Sequence, residues 1–140
     1  MNQAGTDLPR GTETILVVDD QETIWDFLIE ALQKLGYQVI LAENGQDTVE
    51  IYRANPGQID LVILDMIMPK MGGHSTFYQI RAIDPDAHIL LSSGYVSEEE
   101  VSDLLKQGAA GFLAKPHRIA ALAREIRRIL DRKPGKADPQ

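Results

Sequence analysis

Short apolar runs rich in β-branched residues alternate five times with longer stretches whose apolar residues recur three and four apart. The runs have the length of buried strands, and the stretches carry the period of an amphipathic helix. A helix between two strands returns the chain to the end of the sheet where it began. Successive strands therefore lie parallel, with helices covering the sheet. The expected fold class is α/β, a single doubly wound, five-stranded parallel sheet with five helices.

The first run, Ile15 to Val18, is continuously apolar, as a strand covered on both faces requires. The helix after it places Ile24, Phe27, Leu28, Ala31, Leu32 and Leu35 on one stripe, with Lys34 in its last turn and Gly36 just past its end. Gln38 to Ala42 is the second strand. Asn44 caps a helix through Val49, Ile51 and Tyr52 that Pro56 and Gly57 end. Leu61 to Leu64, the third strand, runs into Asp65 and a loop from Met66 to Gly73 that contains Pro69; a shorter helix through Phe77, Ile80 and Ile83 follows. The fourth, Ile89 to Leu91, leads into Ser92, Ser93, Gly94 and Tyr95. Ser97 and Glu100 form a capping box for a helix through Val101, Leu104 and Leu105 that stops at Gly108. Gly111 to Ala114 is the fifth strand and stops at Lys115 and Pro116, and the last helix aligns Ile119, Leu122, Ala123, Ile126, Ile129 and Leu130. One folded domain over 14–131 results. The flanking segments 1–13 and 132–140 lack periodicity and are expected to be flexible.

Composition removes several kinds of chemistry. Zero cysteines exclude disulfides, thiolate metal sites and cysteine nucleophiles, and suit a reducing compartment. The balance of 14 Lys plus Arg against 21 Asp plus Glu, a formal charge of −7, opposes direct nucleic-acid binding. No apolar run approaches the ~18 residues of a membrane span, and the N-terminus has no signal-peptide pattern. A cytoplasmic chain without membrane contact is expected.

Ligands of open parallel sheets bind beyond the carboxyl ends of the strands. Asp19 and Asp20 end the first strand, Asp65 the third, Ser93 follows the fourth and Lys115 the fifth. Taken singly, each is an ordinary turn or cap residue. Together they gather on one edge, where chance would scatter them. Three neighbouring carboxylates repel unless a cation offsets them, and all-oxygen ligation points to a hard metal such as Mg²⁺. Lys115 and Ser93 are the groups that neutralise and orient phosphoryl oxygens, which leaves Asp65 as a nucleophile that would form an acyl phosphate. His74, His88 and His117 have no metal-ligand spacing and are assigned to solvated or local structural roles.

The blocks VVDD, LVILDMIMP with Gly73 beyond it, LLSSGY and GAAGFLAKP resemble, in order and spacing, the receiver domains of response regulators in two-component phosphorelays; the resemblance runs from about Thr14 to Asp131. It implies a flavodoxin-like sheet of order 2-1-3-4-5, an order taken from the family rather than from periodicity. It also implies that Asp65 is the phosphoacceptor, with Lys115 and Ser93 completing the catalytic set. Mg²⁺, with Mn²⁺ as a substitute, would be held by Asp20, Asp65 and the backbone carbonyl of Ile67, and by Asp19 through water. Ser93 and Phe112 would be the switch pair, and Lys115–Pro116 a cis peptide. The donor would be a phosphohistidine on a sensor histidine kinase or a histidine phosphotransfer protein. A downstream protein target would read the face of the fourth helix, fifth strand and fifth helix, which includes Ser102, Lys106 and Arg124. Such a domain is not a conventional enzyme, since it catalyses only its own phosphorylation and slow dephosphorylation.

Gln21, Trp25, Gly72 and His117 depart from the residues common at their positions, without removing a catalytic group. Ile67 and Tyr95, two past Asp65 and Ser93, cannot activate water as bases, so the phosphorylated state is expected to be long-lived. A phosphatase of the haloacid dehalogenase type would need an Asp where Ile67 stands. Two alternatives stay open: a piece from the C-terminal side of a hybrid sensor histidine kinase, which RGTETILVVDD also resembles, and a phosphorylation-independent interaction module.

Overall fold

The computed structural model describes residues 8–68, 71–94 and 97–132. Strands β1 (Thr14–Val18), β2 (Gln38–Ala42), β3 (Leu61–Asp65), β4 (Ile89–Ser93) and β5 (Gly111–Ala114) alternate with helices α1 (Glu22–Lys34), α2 (Gly45–Ala54), α3 (Gly73–Ile83), α4 (Glu98–Lys106) and α5 (Ile119–Leu130). All pairings are parallel, in the order β2-β1-β3-β4-β5. The α/β fold class and the strand order agree with the sequence reading.

Side-chain alternation divides the sheet between two cores. Ile15, Val17, Leu61, Ile63 and Leu90 pack under α1 and α5 against Leu28, Leu32, Leu122 and Ile126. Leu16, Val18, Val62, Leu64, Ile89 and Leu91 face the other way, against Tyr52 of α2, Phe77 and Ile80 of α3 and Leu104 of α4. The central strands have both faces buried, which is why they read as continuous apolar runs. Truncating one of these residues to alanine costs about 2–5 kcal/mol.

The helix ends follow local chemistry. The Asn44 side chain accepts from Asp47 N–H, and Ser97 with Glu100 closes a full capping box. Gly36 and Gly108 adopt φ of 104° and 110° immediately past the ends of α1 and α4, where a Cβ would be strained.

Three details differ from the sequence reading. Phe27 is 42% exposed, because at about 100° per residue it lies at the margin of the stripe centred on Leu28, Ala31 and Leu35. Strands β3 and β4 run one and two residues further, through Asp65 and Ser93, because parallel pairing continues to Asp65↔Ser92 and Ser93↔Ala114. Residues 8–13, expected to be flexible, are fastened. Leu8 packs on the first core, Gly11 N–H donates to the Leu35 carbonyl at 3.1 Å, and Glu13 pairs with Arg127 at 2.8 Å. Residues 1–7 and 133–140, also expected to be flexible, lie outside the described residues, as do Pro69 and Tyr95. No helix among the described residues is long and apolar enough to cross a membrane.

Candidate functional site

Each strand that contributes to the carboxyl edge of the sheet is extended by one backbone bond, and those bonds position the loops. Asp19 N–H donates to the Ala42 carbonyl at 3.2 Å, Met66 N–H to Ser92 at 2.9 Å and Lys115 N–H to Ser93 at 2.9 Å. The side chains that follow therefore emerge from a rigid rim. The loop after Asp65 is closed by Gly73 N–H donating to the Met66 carbonyl at 3.1 Å. A Cβ on Gly73 would stand 2.6 Å from the Met66 Cα, so the approach needs glycine.

Asp19 and Asp65 are buried and Asp20 is exposed; one carboxylate oxygen from each lies within 4.8 Å of the others. The mostly buried Lys115 ammonium stands 2.9 Å from Asp19 Oδ2 and 3.4 Å from Asp65 Oδ2. Asp19 Oδ1 also accepts from Gln21 N–H at 2.9 Å, and Asp65 Oδ1 from Ile67 N–H at 3.2 Å. Burial first, and then the charge of Asp19, push the Asp65 carboxyl up from 3.8 to about 6, against the opposing pull of Lys115. One lysine facing three carboxylates leaves the cluster under-neutralised. Hard oxygen donors at this spacing, with no sulfur or imidazole among them, suit a hard divalent cation.

The structure thus gathers Asp19, Asp20, Asp65 and Lys115 into one cluster. Ser93 lies buried on the neighbouring rung, its carbonyl accepting the Lys115 N–H at 2.9 Å. Phe112 is half-buried against the second core, in register with Leu91. Ile67 is 59% exposed beside the acidic cluster. Lys115–Pro116 is cis.

One feature of the site escaped the sequence reading. The His117 Nε2 lies 2.8 Å from the Oγ of Ser92, the buried residue in register with Asp65. Its Nδ1 is shut away without a partner among the described residues, and burial, followed by Lys115, lowers the ring's affinity for a second proton. A polar Ser92 closing an otherwise apolar run was the available signal.

Residues 15–127 match the response regulator receiver domain family, and the chain belongs to that family of two-component signalling proteins. It is 33% identical over 118 residues to the chemotaxis protein CheY of Bacillus subtilis (strain 168), covering 84% of this chain and 97% of that protein. It is 32% identical over 130 residues to the sensor kinase CckA of Brucella abortus (strain 2308), covering 93% of this chain but only 14% of the kinase. Among solved structures, a chain of the CheX-CheY-BeF3-Mg complex from Borrelia burgdorferi superimposes with a TM-score of 0.81 at 29% identity, covering 91% of this chain and 93% of that one.

Proposed function

We propose that the chain is a phosphoacceptor in which Asp65 receives a phosphoryl group from a phosphohistidine of a sensor histidine kinase or a histidine phosphotransfer protein. The observation that carries this reading is the convergence of Asp19, Asp20 and Lys115 on a buried Asp65 at the strand ends. An Asp65 carboxylate oxygen attacks phosphorus, the P–N bond breaks, and its electron pair leaves on the donor imidazole, which takes a proton from solvent; the product is an acyl phosphate. Lys115 turns from the carboxylates to the transferring phosphoryl oxygens, and the Ser93 hydroxyl donates to them. Asp20, Asp65 and the Ile67 carbonyl would hold Mg²⁺ directly, and Asp19 through water. When bound, that ion supplies positive charge against the carboxylates and the phosphoryl oxygens.

Ser93 and Phe112 form the switch pair, carrying the change to a face of α4, β5 and α5 that a protein target reads. The family membership and the sensor kinases among the relatives support the choice of donor. The apolar Ile67 supports a long phosphorylated lifetime. The chemistry is self-modification rather than turnover, in the cytoplasm.

Intact-protein mass after incubation with acetyl phosphate and Mg²⁺ tests the reading. One added phosphoryl is expected, absent in Asp65→Ala and after chelation. No adduct from either acetyl phosphate or a phosphohistidine donor would leave a phosphorylation-independent binding module.

A further inference from the structure

We propose that His117 is a positioning residue for phosphoryl acceptance, latching the loop that carries Lys115 to the rung of β4 that lies beside Asp65. The inference rests on the reading of Asp65 as acceptor.

The loop between β5 and α5 is short, and Lys115 and His117 are separated only by Pro116. Its two ends are fastened to consecutive residues of β4. Lys115 N–H donates to the Ser93 carbonyl at 2.9 Å, and the His117 ring meets the Ser92 hydroxyl at 2.8 Å. Ser92 is more than an anchor for the loop. It is registered against Asp65, and its carbonyl accepts the N–H of Met66, the residue after the acceptor. Through its backbone Ser92 holds the acceptor strand, and through its side chain it holds the lysine loop. The pair thus joins the lysine loop to the strand beside the acceptor without being part of the acid–lysine cluster.

This link is also fragile. The ring's other nitrogen has no partner among the described residues, so the Ser92 hydroxyl is the polar contact that orients it. Ser92 itself is 1% exposed, so water cannot replace the ring at little cost. Removing either partner leaves the Lys115 loop held by the Lys115 backbone bond and the ion pairs alone, with the reach of its ammonium to Asp19 and Asp65 less well defined. Misplacing a charge at a transfer site slows reaction without abolishing ligand binding.

The test compares wild type, Ser92→Ala, His117→Phe, His117→Gln and the Ser92→Ala/His117→Phe double variant, each checked for folding by circular dichroism. Phosphorylation rate is followed against acetyl phosphate concentration at saturating Mg²⁺. His117→Phe and Ser92→Ala are expected to lower the maximal rate roughly tenfold, with the half-saturating donor concentration changed less than about twofold. His117→Gln, which can still reach the hydroxyl, should recover most of the loss. The double variant should be no slower than either single one, because both remove the same link. Multiplying single-variant losses, or His117→Phe reacting at the wild-type rate, would overturn the proposal while leaving Asp65 as acceptor. A wild type that accepts no phosphoryl would remove the acceptor reading and this inference with it.

Discussion

The two ends of the sheet carry similar side chains to opposite effect. At the carboxyl ends, Asp19, Asp20 and Asp65 cluster around one lysine that pairs with Asp19 and Asp65, and Asp65 is pushed up to about 6 by burial and by Asp19. At the amino ends, charge is matched. Arg127 takes both oxygens of Glu13, at 2.8 and 3.0 Å, pairs with Asp131 and donates to the Tyr37 hydroxyl at 3.2 Å. Asp60 accepts from Thr14 N–H at 2.9 Å, Arg81 donates to the Ala87 carbonyl at 3.0 Å, and Arg128 to the Ala110 carbonyl at 2.7 Å, so the entries to β1, β4 and β5 are each held by a side chain. One end satisfies its own charges; the other keeps carboxylate in excess, which a bound cation or protonation of Asp65 relieves. A fold that tolerates such strain at one rim must be secured elsewhere, and here the opposite rim supplies that security.

The sharpest way to break this contrast is Asp65→Asn without metal. The folded state holds the Asp65 proton more tightly than the unfolded chain does, since the value rises from 3.8 to about 6. The stability this represents is therefore complete below 3.8 and is lost as pH rises through about 6. The shift corresponds to roughly 3 kcal/mol. In chelator at pH 7.5, Asp65→Asn is expected to unfold at higher urea than wild type by about 2–3 kcal/mol, and its stability should be flatter between pH 4 and 6. Added Mg²⁺ should stabilise wild type more than the variant, narrowing or reversing the order. A metal-free variant less stable than wild type at pH 7.5 would mean that the carboxyl rim is not strained.

Arg127→Ala probes the other rim. The guanidinium is mostly buried and Glu13 and Asp131 would lose their cation, so a loss of about 2 kcal/mol is expected, between the values for exposed and for buried pairs. Phosphoryl acceptance by the folded protein should change less than about twofold, because among the described residues no polar contact of Arg127 reaches the carboxyl rim. A matching fall in acceptance rate would show that the rims are coupled through α5.

The same contrast explains what could be read from sequence. Strand and helix order follow from periodicity, because both cores repeat it: Val62 and Leu64 face one way while Leu61 and Ile63 face the other. The acid–lysine cluster was readable because its members end strands, and strand ends of a parallel sheet must meet. The Arg127 network was not, since Glu13 and Arg127 lie far apart in the chain and nothing periodic links them. An aperiodic segment such as 8–13 looks flexible until a long-range partner is known. His117 was passed over for a related reason: its partner Ser92 differs from an apolar strand residue by one hydroxyl, and only the fold brings the two together.

Tyr37→Phe tests how far the matched rim depends on any single bond. The ring is buried and packs in the first core, so phenylalanine keeps its apolar contacts and removes only the hydroxyl. That hydroxyl accepts from an Arg127 nitrogen that also reaches Glu13 at 2.8 Å. Arg127 therefore keeps its stronger, charge-assisted bonds when the hydroxyl is gone. The expected loss is about 0.5–1 kcal/mol, near the low end for a hydrogen bond and well below that of Arg127→Ala, by urea unfolding. Equal losses would mean that the guanidinium is oriented by Tyr37 and that the rim hangs on one contact.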